Sequence, residues 1–151
     1  MSKLDTKNIQ KLREATGAPV IRVKKVLEEV GGEKEKALEI LKKEGFEKAA
    51  KRVGRETGQG VVKAYVHHNG KVACLVELLC ETDFVAKNEI FQSLANDIAL
   101  QVASMGEDEL EEQGFIKDPK RKIGDLVKEA IAKTGENIRI GRTIRIELGS
   151  K

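Results

Sequence analysis

The sequence predicts an α+β fold in two parts: an N-terminal three-helix module, then a core built on a three-stranded antiparallel sheet with helices. Three observations carry this. Apolar residues recur at helical spacing between glycine stops through the first third of the chain. Two β-rich runs, Val61 to His67 and Val72 to Leu79, flank the hairpin dipeptide Asn69-Gly70. Near the end, Ile138 to Leu148 alternates with period two.

The helical part starts at Asp5-Thr6, which caps a short helix carrying Ile9 and Leu12 and stopping at Gly17. Pro19 suits the first turn of a second helix with Val20, Val23, Val26, Leu27 and Val30 on its apolar side, ended by Gly31-Gly32. A third, from about Glu33 to Glu44, runs through Ala37, Leu38 and Leu41 and is closed by Gly45. Three helices in so short a span make a compact bundle that resembles the ubiquitin-associated (UBA-like) fold. Phe46 to Arg55 reads as a charged helical connector, and the domain boundary falls there, giving a UBA-like module with its connector over 1–53 and an α+β core over 54–151.

In the core, Asn69-Gly70 predicts a type I′ turn with positive φ at both central residues. The strand Val72 to Leu79, apolar on both faces, is expected at the centre of the sheet. Its partner, with Lys63 and Tyr65 alternating against Val62, Ala64 and Val66, is expected to have one wetter face. A long amphipathic helix follows, with Phe91, Leu94, Ala95, Ile98, Ala99 and Val102 on one side. Met105 to Lys122, with Gly106, Gly114 and Pro119, reads as an irregular and mobile excursion, and Ile123 to Lys133 as a further helix stopped by Gly135. The final strand places Ile138, Ile140, Arg142, Ile144, Ile146 and Leu148 on one face.

Composition narrows the function classes. The 151 residues carry 28 basic and 25 acidic side chains, a net +3, well mixed along the chain, so no strongly basic face is announced and no direct nucleic-acid contact is expected. Cys74 and Cys80 lie in or at the end of an apolar strand with no histidine at ligand spacing, which argues against a metal site or a disulfide scaffold and for a reducing cytosol. No apolar run is long enough to span a bilayer, and Met1-Ser2-Lys3-Leu4-Asp5 leads straight into polar helical sequence, so a cytoplasmic protein is expected. His67 and His68 are adjacent on a strand and point to opposite faces, so they do not form one acid-base site with Glu77. No phosphate loop, nucleophile triad or carboxylate cluster is present, and the chain is not expected to be an enzyme or to hold a cofactor or metal. Lys48, Lys51, Arg52 and Arg55 share one helical flank that either meets RNA phosphates or is a solvated face.

The remaining stretch is Cys80-Glu81-Thr82-Asp83-Phe84-Val85-Ala86-Lys87-Asn88, where an apolar strand gives way to the long helix. Thr82 and Asp83 are both capable of capping it, which places Phe84 on the first turn, outside the apolar stripe. Phe84 then either staples the helix start to the sheet or is an exposed aromatic anchor.

This segment resembles the Thr-Asp-Phe-Val-Ala signature of the bacterial translation elongation factor Ts family, the guanine-nucleotide exchange factors of elongation factor Tu. The similarity extends to Leu12-Arg13-Glu14-Ala15-Thr16-Gly17-Ala18, Lys24-Lys25, and Gly135-Glu136-Asn137-Ile138 followed by Arg142 and Glu147-Leu148, so it covers nearly the whole chain. It implies binding to elongation factor Tu·GDP and promotion of GDP release, with an RNA- or ribosome-associated module as the alternative. It implies an exchange motif at Thr82, Asp83, Phe84 and Val85, with Asp83 and Phe84 inserting beside the Mg²⁺ region of the GTPase. It further implies docking of the opening module through Leu12, Arg13, Val20 and Ile21, although Pro19 replaces a common Gly, Val20-Ile21 replace a common Met-Met, and these residues are equally suited to the bundle core. Many relatives carry a second core subdomain and a helical hairpin that are missing here; the chain resembles the short form, whose members pair as homodimers, and self-association would cover an open sheet edge.

Overall fold

The computed structural model describes residues 5–150; Met1 to Leu4, whose polarity bears on the reading of the chain start, lie outside the described residues. The helical module is built as the spacing predicts at its start. Helix α1 (Thr6–Thr16) is capped by the Asp5 side chain, which accepts from the Lys7 amide, and ends at Gly17 in the left-handed region at φ 72°. Pro19 precedes α2 (Val20–Glu29). Ile9, Leu12, Val23, Val26, Leu27, Ala37 and Leu41 close a small core of their own.

Helix α3 departs from expectation. It runs unbroken from Lys34 to Arg52, through Gly45, so the third helix and the connector are one element. Gly45 is not a stop because it is an interhelical contact: a Cβ there would lie 3.1 Å from the Ala132 Cβ. Packing against a neighbour offsets the low helix propensity of glycine, about 1 kcal/mol against alanine. Further along, Ala49 belongs to the larger core and not to the bundle.

The sheet is β1 (Gln59–Val66), β2 (Val72–Cys80) and β5 (Ile138–Glu147), antiparallel in the order β1-β2-β5, with β2 central as its apolar run predicts. The connection between β1 and β2 is not a type I′ turn. Among the described residues only Glu109 is a non-glycine at positive φ, so Asn69 keeps negative φ and Gly70 alone crosses over, at 71°. The His67 carbonyl accepts from the Gly70 amide, and the His67 amide donates to Val72, which gives a longer loop.

On one side of the sheet lie α5 (Glu89–Met105) and α6 (Ile123–Thr134), packed through Phe91, Ile98, Val102, Ile123 and Ile131 against Val76, Leu78 and Cys80. Among the described residues, no helix covers the other side. In β1 it is Val62, Ala64 and Val66 that face solvent, while Lys63 and Tyr65 are half-buried beneath the helices. Thus the wetter face is the aliphatic one. In β5 the register shifts opposite Glu77, between the pairs Val76 with Thr143 and Leu78 with Ile140. This β-bulge inverts the alternation: Ile138 and Ile140 point into the core, whereas Ile144, Ile146 and Leu148 are exposed. The six residues assigned to a single face therefore divide between two.

The segment after α5 is more structured than its composition suggests. It holds a 3₁₀ turn (Leu110–Glu112) and a two-stranded sheet of β3 (Gly114–Phe115) and β4 (Asp118–Lys122). Leu110 and Phe115 are buried. The fully buried Gln101 secures it: its amide nitrogen donates to Gln113 Oε1 and the Gly114 carbonyl, both at 3.0 Å, and its oxygen accepts from the Ile116 amide at 2.9 Å.

Candidate partner-binding site

The helix after β2 is interrupted. A single turn, α4 (Asp83–Ala86), is capped by Thr82, whose hydroxyl accepts from the Val85 amide; Asn88 then caps α5 separately through the Ile90 amide. The break has a physical cause in the pair of caps, each satisfying amides that a continuous helix would bond internally. Its consequence is that α4 is a helical segment separate from α5. Ala86 is buried and Val85 packs partly against the core, while Phe84 is 89% exposed. The ring is thus free of the sheet, so Phe84 does not staple the helix start to it. Asp83 is also exposed and pairs with Lys87 at 2.9 Å.

A polar clasp holds this turn from beneath. The Glu136 carboxylate accepts from the Thr82 amide at 2.9 Å, the Thr82 hydroxyl at 2.7 Å and the Glu81 amide at 3.2 Å. In return, the Glu81 carboxylate accepts from the Asn137 amide at 2.6 Å. Asn137 is buried, and its side chain donates to the carbonyls of Val53 and Arg55, so the end of α3 is tied to the same point. Behind the turn, the Cys80 thiol donates to the Thr82 carbonyl at 3.1 Å. Burial, reinforced by the nearby Glu136 carboxylate, pushes that thiol's pKa up, so at neutral pH it stays protonated and serves as a donor.

The second set of sequence-predicted residues separates in the bundle. Leu12 is 5% exposed and belongs to the core, where it holds α1 in place. Ile21 is 82% exposed, Arg13 is exposed and Val20 half-buried. Arg13 and Val20 border an open groove between α1 and α2, together with Ile9, Gln10 and Lys24. The bundle sits against α6 through small residues: a Cβ on Gly17 would come within 2.7 Å of the Lys133 backbone. Its surface and Phe84 are thereby carried on one scaffold.

The basic flank divides likewise. Arg52 donates to the Ile131 carbonyl and Arg55 to the Gly135 carbonyl, both at the C-terminal end of α6, and Arg55 also pairs with Glu81 at 3.7 Å. Two of its four cations are thus engaged within the molecule. Among the described residues no group of three or more His, Cys, Asp or Glu side chains is arranged to hold a metal ion, and no helix is long and apolar enough to cross a membrane.

What the fold and this surface define is an α+β protein that presents side chains on rigid supports. Residues 81–151 match the family model described as Elongation factor TS. The chain is 38% identical to elongation factor Ts of Thermosipho melanesiensis, the alignment covering 97% of this chain and 99% of that protein. It is 41% identical to that of Thermotoga petrophila, over 93% and 94% of the two chains, and 41% identical to that of Leptospira biflexa, over 97% and 98%. The chain belongs to the elongation factor Ts family and is a translation elongation factor. The alignment with the Thermosipho protein runs over 194 positions against the 151 residues here, so that relative carries internal residues without a counterpart in this chain.

Proposed function

We propose that the protein binds elongation factor Tu in its GDP form and accelerates release of the nucleotide, without chemistry of its own, by inserting Phe84 and Asp83 beside the Mg²⁺ and phosphate region of the GTPase. The observation that carries this reading is a large aromatic side chain held fully out in solvent on a clamped single turn. A GTPase holds GDP through its phosphate loop and Mg²⁺, so a partner that disturbs both lowers affinity by shape alone. Burying one phenylalanine supplies about 1.5–3 kcal/mol, whereas a thousandfold loss of GDP affinity requires about 4 kcal/mol. The rest must come from the GTPase backbone that the ring displaces and from docking elsewhere. Arg13, Val20 and Ile21 on the opening module are the surface we assign to that docking, with Leu12 supporting them from inside.

The protein is further proposed to act as a homodimer in the cytoplasm. Val62, Val66, Leu75, Ile144 and Ile146 form an exposed aliphatic surface on the helix-free side of the sheet, and a second copy is the occupant that matches it. Self-association thus concerns the sheet's face more than its edge.

The test is release of a fluorescent GDP analogue from elongation factor Tu with increasing amounts of this protein. Acceleration that persists at moderate salt supports the exchange reading. No acceleration at saturating protein, with RNA binding that falls steeply as salt rises, supports the RNA- or ribosome-associated alternative.

A further inference from the structure

We propose that Glu136 is the positioning residue of the exchange turn: its carboxylate fixes the start of α4 so that Phe84 is presented in one direction before any partner arrives. The inference rests on the exchange reading above. Glu136 lies just after α6, far along the chain from the residues it holds, and the cap Gly135 at φ 79° turns the backbone there. Its two oxygens divide the work. Oε1 takes the amides of Glu81 and Thr82, which lie just beyond the end of β2, and Oε2 takes the Thr82 hydroxyl at 2.7 Å. That hydroxyl accepts in turn from the Val85 amide, so its lone pairs are aimed into α4 because its proton is aimed at Glu136. The chain of contacts thus runs from carboxylate to cap to the turn bearing Phe84.

The reciprocal bond from the Asn137 amide to Glu81 makes the arrangement two-sided, so neither segment is free to shift alone. Beyond it, Asn137 ties the end of α3 to the same point. A wedge held this way has lost its conformational freedom in advance, and binding then costs less in ordering. Glutamine at 136 keeps an oxygen for both amides, and its nitrogen meets Thr82 Oγ1 as a donor. Alanine removes all three contacts.

The experiment measures release of a fluorescent GDP analogue from elongation factor Tu against protein concentration for the wild type, Glu136→Ala, Glu136→Gln, Phe84→Ala and the Phe84→Ala, Glu136→Ala double variant. Glu136→Ala is expected to lower the maximal release rate roughly tenfold while leaving the half-saturating concentration nearly unchanged, and Glu136→Gln to restore most of the rate. In the Phe84→Ala background, removing Glu136 is expected to add nothing further, since both act through one ring. A normal rate for Glu136→Ala beside an impaired Phe84→Ala overturns the proposal alone, as do fully additive losses. A wild type without exchange activity, or a Phe84→Ala variant as fast as wild type, overturns the reading beneath it. The clasp is read separately, without partner, by hydrogen exchange: Glu136→Ala should lose protection at the Glu81 and Thr82 amides while Val76 and Leu78 keep theirs. Unchanged protection at Glu81 and Thr82 contradicts the clasp itself.

Discussion

At the scale of single residues, position in the chain and position in space diverge most at polar groups. Glu44 on α3 receives the Arg22 guanidinium, with Nε at 2.9 and 3.1 Å from the two carboxylate oxygens. The hydrogen bond from Arg22 holds its pKa below the usual carboxylate range. A depressed folded pKa contributes stability that is present above the unfolded value, about 4.3, and is lost as pH falls through the folded one. Unfolding of the bundle is therefore expected to become easier as pH drops below about 4.3, and Glu44→Gln should flatten that part of the stability profile when melting is followed by circular dichroism. Cys80 gives the opposite sign. Its raised pKa means alkylation in the native state should be far slower than in denaturant at pH 8; equal rates would contradict its burial. Cys74 and Cys80 were legible in the sequence as small hydrophobes, and Phe84 as a side chain outside the helical stripe. Glu136 was not legible as a support, because a carboxylate that bonds backbone amides 54 residues away leaves no local pattern.

Among the elements, hydrophobic periodicity placed five of the helices and the three long strands, since each buries one continuous face. It failed where a local irregularity resets the phase. In β5 the reset is the bulge opposite Glu77, whose carboxylate accepts from the Arg142 amide at 3.1 Å and guanidinium at 3.2 Å. Gly141 marks the place, because a Cβ there would meet Glu77 Oε1 at 2.3 Å. The signal was present as a glycine inside a strand pattern. Likewise, the start of the long helix conceals two caps in Thr82 and Asn88. The excursion between α5 and α6 was unreadable because a single buried amide, Gln101, supplies its order. Replacing Gln101 with Leu should leave the Gly114 carbonyl and the Ile116 amide unpaired and cost about 2–3 kcal/mol of stability. Loss of hydrogen-exchange protection should be centred on Gly114 to Ile116, and a variant as stable as wild type would show that the segment is held by Leu110 and Phe115 alone.

For the molecule as a whole, two cores share one helix, with Ala37 and Leu41 in the bundle and Ala49 in the sheet domain. We propose that the two parts are separate folding units and that the end of α3 belongs with the core. A fragment beginning near Gly45 should melt cooperatively, whereas one beginning after Arg55 should be less stable for want of Ala49 and the Val53 carbonyl. The uncovered sheet face makes a further prediction: sedimentation at micromolar concentration should report a dimer, and Ile144→Lys should shift it to monomer without unfolding it. A wild-type monomer that still exchanges nucleotide would contradict the assignment of that face. The proposed exchange activity rests on Phe84, and one preparation of Phe84→Ala tests it most directly. Truncating a core phenylalanine costs about 3–5 kcal/mol, but an exposed ring should leave the melting temperature nearly unchanged while GDP release from elongation factor Tu slows sharply and binding persists. Unchanged stability together with a wild-type release rate would contradict the wedge.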